Sequence, residues 1–263
     1  LCMLHAPWFL QIVAVPLGWF LVDRLVRLLV TRTPGSVESI TVGERDIDLV
    51  VRRPDAFDYH AGDYAFLCVP AVSRVQWHPF SLINAPSQRG SLSFRIRRYG
   101  SWTKGLAEVA AGSVVYVDGP FASPCRDMHE VDRAVLVAAG IGITPFVSYL
   151  EEVRATGVCR FERMHVVWIE KDKASFGRFV ELMDALESQL QGRLTVQLST
   201  KAPSDTPHRL VSEERVDWDA TLQRLSGDGL AGATVFFCGP RTMCHALREA
   251  TLHAGMRYRT ETF

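Results

Sequence analysis

The stretch Ala138-Ala-Gly-Ile-Gly-Ile-Thr-Pro-Phe146 follows directly on the apolar run Arg133-Ala-Val-Leu-Val137. That order predicts a buried strand, a glycine turn and then a helix. Gly140 and Gly142 would let backbone approach a pyrophosphate, and the helix start would offer free N–H groups and the positive end of a dipole. Alone the pattern is weak, because strand-to-helix glycine turns occur throughout α/β folds. Three companions strengthen it: His78-Pro-Phe-Ser81 upstream, Phe237-Cys-Gly-Pro240 downstream, and the aromatic last residue Phe263. The six cysteines (Cys2, Cys68, Cys125, Cys159, Cys238 and Cys244) contain no Cys-x-x-Cys pair and no zinc spacing, so no metal site is expected and most read as reduced core residues.

These groups need elements to hold them. From Ser36 to Pro120 short β-rich runs dominate: Asp46 to Arg52, Tyr64 to Val69, Ser91 to Arg97 and Val114 to Asp118. Several alternate apolar with polar residues, as half-buried antiparallel strands do. Turn residues separate them, and one helical stretch, Thr103 to Ala111, interrupts the series. Regularly spaced short strands predict a small antiparallel β-barrel. After Met128 strands alternate with helices. Strands are expected at Val135 to Ala139, His165 to Ile169, Leu194 to Leu198 and Val235 to Cys238, the last ending the sheet at Cys238-Gly-Pro240. Helices are expected at Pro145 to Ala155, Phe176 to Leu190, Trp218 to Leu225 and Thr242 to Ala254. This alternation predicts a parallel sheet with helices on both faces. Lys201 to Pro207 reads as a polar loop.

At the other end, Pro7 to Val22 is almost wholly apolar, and the apolar character continues amphipathically to Val30. A span of about 20 apolar residues is the usual transmembrane requirement. The segment reads as the end of a membrane helix, with Arg24 and Arg27 snorkelling and Trp8, Trp19 and Phe20 as interfacial anchors. Arg24, Arg27 and Arg32 follow the span, which places residues after about 31 in the cytosol. Thr31 to Gly35 breaks the helix as a linker. A signal peptide is disfavoured because its basic residues would come first. His5 reads as an interfacial side chain.

Six motifs in order carry a resemblance to the NADPH oxidase and ferric reductase superfamily. They are Trp77-His-Pro-Phe-Ser-Leu-Ile-Asn-Ala-Pro86, Ile96-Arg-Arg-Tyr-Gly-Ser-Trp-Thr103, Gly119-Pro-Phe-Ala-Ser123, Gly140-Ile-Gly-Ile-Thr-Pro-Phe146, Trp168-Ile-Glu-Lys-Asp172 and Phe236-Phe-Cys-Gly-Pro240. The resemblance runs from the apolar segment to Phe263 and is greatest for the calcium-regulated oxidases. It implies a ferredoxin-reductase-like two-domain fold preceded by one transmembrane helix. Residues 1–33 would be the last membrane helix and linker, 34–128 an FAD-binding β-barrel, and 129–263 an NADPH-binding α/β domain.

The resemblance also implies roles. His78, Pro79, Phe80 and Ser81 would form the flavin edge, with the Ser81 hydroxyl at the nitrogen that receives hydride. Arg97, Gly100, Trp102 and Thr103 would hold the flavin pyrophosphate, Arg95 and Arg98 remaining solvated strand charges. Gly140, Gly142, Thr144 and Pro145 would meet the NADP pyrophosphate. Cys238, with Gly239 and Pro240, would sit beside the nicotinamide, and Phe263 would shield the flavin ring. Lys171 and Arg215 would select the 2′-phosphate, although the glycine and proline that flank the arginine in the family are here Glu214 and Val216.

The activity implied is hydride transfer from NADPH to FAD, then single electrons to a haem on earlier membrane helices of the same protein, and superoxide beyond. A ferric-chelate reductase is the second reading, and a regulatory nucleotide-binding module without turnover the third. Formal charge is zero, with no arginine-rich arm, so nucleic acid is not an expected partner. No EF-hand loop is present; a calcium sensor or regulatory subunit would lie elsewhere.

Overall fold

The computed structural model describes residues 7–29, 33–171, 176–200, 211–212 and 216–262. The first described element is helix α1 (Pro7–Leu29). Among its described side chains the large apolar ones face outward, Trp8 at 60% exposure and Trp19 at 77%. Among the described residues no helix is long and apolar enough to cross a membrane. The expected span is therefore not shown; Gln11, Pro16, Asp23 and Arg24 interrupt its apolar run.

Six strands follow: β1 (Thr33–Val42), β2 (Asp46–Arg52), β3 (Tyr64–Cys68), β4 (His78–Ser81), β5 (Ser91–Arg97) and β6 (Val114–Phe121). They form one antiparallel sheet in the order β4-β3-β6-β1-β2-β5. A bridge from Leu82 to Phe94 brings the end of β4 back to β5 and nearly closes a barrel. The alternation read from the sequence fills its interior: Ile47, Leu49 and Val51 on β2, and Leu92, Phe94 and Ile96 on β5, are all buried. The expected linker at Thr31 to Gly35 is corrected, because β1 already begins at Thr33. Thr33 to Ser36 pair only with β6, and β2 joins at Val37. Pro34 thus sits on a locally open edge, where a missing N–H costs nothing. The helix expected over Thr103 to Ala111 lies earlier, as α2 (Ser101–Gly105), followed by a 3₁₀ turn, Leu106–Glu108.

The second half contains β7 (Arg133–Ala139), α3 (Thr144–Thr156), β8 (Arg163–Ile169), α4 (Gly177–Leu190), β9 (Leu194–Ser199), β10 (Val211–Ser212), α5 (Trp218–Leu225), β11 (Thr234–Gly239), α6 (Arg241–His253) and β12 (Arg257–Thr262). All six strands are parallel, in the order β10-β9-β8-β7-β11-β12. The strand ending at Cys238-Gly239 is thus not the last: β12 adds itself outside β11 and pairs Glu261 with Cys238. Chain order reverses between β7 and β11, and the crevice at such a switch point is where ligands bind in open α/β sheets. One buried apolar cluster crosses from barrel to sheet, joining Ala61, Ile83, Cys125 and Met128 to Phe146, Tyr149 and Leu150 of α3.

Candidate functional site: a cleft between barrel and parallel sheet

A cleft of about 610 Å³ lies between the two sheets. Pro79, Phe80, Ser81, Arg95 and Arg97 line it from the barrel; Gly142, Thr144, Cys238 and Glu261 line it from the other side. The short strand β4 presents Ser81 at its end, and β11 delivers Cys238 from the carboxyl edge of the parallel sheet. Residues picked from distant motifs therefore meet in one place.

The glycine turn is shaped by contact. Gly140 has φ +59°, a left-handed conformation suited to glycine. A Cβ on Gly142 would lie 2.2 Å from the Cys238 carbonyl oxygen. The turn's polar groups close on themselves: Thr144 Oγ1 donates to the Ile141 carbonyl at 2.9 Å, and Trp168 Nε1 to the Gly140 carbonyl at 3.0 Å. Pro145 is buried in the first turn of α3. Gly239 is packed against Phe237 and Ala139, and Pro240 leads into α6.

Behind Phe80, the His78 ring lies 4.3 Å from the Trp102 ring, and Phe80 stacks on Trp102 at 5.8 Å. Among the described residues His78 Nε2 and Trp102 Nε1 are buried without a hydrogen-bond partner, and desolvation lowers the His78 pKa. His78 and Trp102 thus form a wall behind the cleft rather than its lining. Gly100 and Thr103 are not among the residues that line the cleft. Thr103 Oγ1 accepts from the Tyr99 and Gly100 amides, closing their own turn, and α2 is only five residues long.

Arg97 is the most heavily bonded cation of the site. Its Nε donates to Asp46 at 2.9 Å and its Nη2 to Glu170 at 2.9 Å, so it ties the barrel to the parallel sheet. Arg95 is not the solvated strand charge expected. Its side chain is 14% exposed, within 4 Å of Asp46 and Asp48, and lies over the Phe179 ring at 4.9 Å. Residues i and i+2 of a strand share a face, so β5 turns both arginines toward the other half. Arg98 donates to the Gly43 carbonyl at 2.9 Å.

Lys171 follows β8 with its side chain exposed. Arg215 and Phe263 lie outside the described residues. Two carboxylates that the motifs did not single out join the site, Glu170 and Glu261. Burial raises the Glu261 pKa, with Ser123 and Cys125 opposing it, and among the described residues its Oε2 has no hydrogen-bond partner. Burial also pushes the Cys238 thiol well up, keeping it protonated at neutral pH. The period-2 register of β12 would have revealed Glu261 had that strand been recognised.

An antiparallel barrel beside a parallel sheet, with a cleft at the switch point between them, defines the class of dinucleotide-linked flavoprotein reductases. The fold matches a ferredoxin NADP+ reductase from Neisseria gonorrhoeae solved with bound FAD and NADP, with a TM-score of 0.71 at 17% identity, covering 88% of this chain and 98% of that one. Residues 36–136 match an FAD-binding domain family, and residues 136–249 an oxidoreductase NAD-binding domain family. Along its length the chain is similar to the C-terminal dehydrogenase region of the NADPH oxidase and ferric reductase superfamily. It is 25% identical to human (Homo sapiens) NADPH oxidase 5, over 100% of this chain and 46% of that protein. It is 25% identical to NADPH oxidase 1 of Mus musculus, over 93% and 47%. A superoxide-generating NADPH oxidase heavy chain of Dictyostelium discoideum is also 25% identical, over 95% and 57%. The chain thus spans about half the length of the curated relatives it matches. The two family matches assign an FAD-binding domain to its first half and an oxidoreductase NAD-binding domain to its second.

The cleft fits such groups. It has the volume of a cofactor site, Gly142 provides a surface a side chain would fill, and Arg97 supplies a cation at the barrel edge.

Proposed function

We propose that the chain is the electron-input module of a superoxide-generating NADPH oxidase, passing reducing equivalents from NADPH through FAD to a haem carried by membrane helices of the longer protein. The observation that carries this reading is the meeting of Ser81 and Cys238, from different halves of the chain, in one cleft. When bound, FAD supplies the conversion of a two-electron hydride into single electrons. The protein contributes orientation and electrostatics.

In this reading the Ser81 hydroxyl is the hydrogen-bonding group at the reactive edge of the flavin. Phe80, backed by Trp102 and His78, gives that edge an apolar wall. Cys238 offers a small neutral thiol beside the nicotinamide, its burial arguing against a nucleophilic role. Arg97 holds the flavin pyrophosphate, and the Gly140 to Thr144 turn brings backbone close to that of NADPH. Lys171 and Arg215 select the 2′-phosphate, and Phe263 covers the flavin. We read residues 1–33 as membrane helix and linker, 34–128 as the flavin barrel and 129–263 as the nucleotide domain, with residues after about 31 in the cytosol. The exposed tryptophans of α1 support membrane association; vesicles should co-sediment the full chain and not residues 33–263.

The deciding experiment is an absorbance spectrum of the purified chain with FAD, then anaerobic NADPH or NADH. Bleaching of the flavin bands by NADPH much faster than by NADH is expected. Flavin binding without bleaching by either would overturn the reading in favour of a regulatory module.

A further inference from the structure

We infer that Glu170 competes with the flavin pyrophosphate for Arg97 and so weakens the barrel's hold on FAD. This rests on the reading above that Arg97 binds the pyrophosphate. Glu170 follows β8, in the parallel sheet, yet its Oε2 takes the Arg97 Nη2 donor at 2.9 Å. The carboxylate is held in place: its Oε1 accepts from the Lys171 amide at 2.8 Å, and its side chain is 2% exposed. Arg97 is already engaged by Asp46, whose two oxygens lie 2.9 and 3.4 Å from Nε and Nη2. One guanidinium therefore faces two carboxylates.

A diphosphate would enter against the two carboxylates that already hold Arg97, Asp46 and Glu170, in a partly buried setting where screening by water is weak. The donor left to it also points at the competitor. Arg97 Nη1 lies 3.2 Å from where a Gly140 Cβ would stand, and Glu170 Oε2 lies 3.7 Å from the same point. A phosphate oxygen reaching that donor must approach Glu170. Asp46 shares the barrel with Arg97 and orients it, whereas Glu170 reaches in from the other half. The consequence is a flavin affinity set by a residue outside the flavin barrel.

The test is titration of the 263-residue chain with FAD, followed by flavin fluorescence, for wild type, Glu170→Gln and Arg97→Ala, with riboflavin as the phosphate-free control. Glu170→Gln should bind FAD tighter by roughly fivefold or more, the scale of one charge-assisted contact released to a phosphate, with riboflavin binding unchanged. Inorganic pyrophosphate should raise the Tm of Glu170→Gln more than that of wild type. If Glu170→Gln does not fold, Glu170→Asp, which withdraws the carboxylate, must show the same order. Unchanged or weaker FAD binding overturns the inference and makes Glu170 a strut for Arg97. FAD binding by Arg97→Ala equal to wild type instead removes the pyrophosphate role of Arg97, and the inference with it.

Discussion

Gly142 has no space for even one carbon, since a Cβ there would fall 2.2 Å from the Cys238 backbone oxygen. Gly142→Ala must push apart the glycine turn and the end of β11. The expected cost is about 1–3 kcal/mol of stability, typical of forced overpacking. Flavin reduction by NADPH should fall by at least roughly tenfold, because a 1 Å displacement of reacting groups is enough for that. Stopped-flow absorbance and thermal melts would check both. Glu261 makes a different prediction. Its folded pKa is raised by burial, so the fold favours the protonated acid. The stability it contributes is full below the ordinary glutamate range and is lost as pH rises through the folded pKa. Glu261→Gln should therefore raise the Tm at pH 7, and the gain should vanish toward pH 4. A gain independent of pH would mean that the carboxylate is not the cause. Neither glutamate was legible as a site residue. A single acid at a strand end looks like a surface charge until the fold brings its neighbour across. Ser81, Arg97, Gly142, Thr144 and Cys238 were legible as residues that meet, because each sits in a motif whose backbone demand is local.

At the scale of elements, patterning explains what the sequence revealed. Strands β2 and β5 were readable to the residue, since Asp46 to Arg52 and Ser91 to Arg97 alternate cleanly and bury one face. Strand β12 was not, because Arg257, Arg259 and Glu261 alternate with Tyr258, Thr260 and Thr262 and leave no run of apolar residues. Its place depends on pairing with β11. The start of β1 was hidden by Pro34 and Gly35, which read as a break although both pair with β6. The pair β8 and β9 carries a testable load. His165 lies opposite Thr195, its Nδ1 2.6 Å from the threonine hydroxyl, and among the described residues its Nε2 is buried without a hydrogen-bond partner. Burial, helped by the charge of Arg224, lowers its pKa to about 4. The fold thus favours the neutral ring, and this contribution is full above pH 6.5 and lost as pH falls through 4. The shift corresponds to about 3 kcal/mol. Urea midpoints of wild type should drop between pH 6.5 and 4, and His165→Leu should flatten that decline.

At the scale of the molecule, barrel and parallel sheet share a core rather than merely touching. The apolar cluster crosses between them, Ser148 Oγ donates to the buried Asn84 carbonyl at 2.9 Å, and Ser87 Oγ donates to Glu152 at 2.8 Å. Residues 33–262 should therefore melt in one calorimetric transition with matching calorimetric and van't Hoff enthalpies. Two resolved transitions would show that the halves fold independently. The shared core also governs how the gene can be recombined. A crossover between related chains placed just before β7 would join a barrel carrying Ile83 and Met128 to a helix α3 selected against other partners, leaving voids or clashes in one packed interior. A crossover between α1 and β1 breaks none of that packing. Functional hybrids should accordingly inherit barrel and sheet as one block.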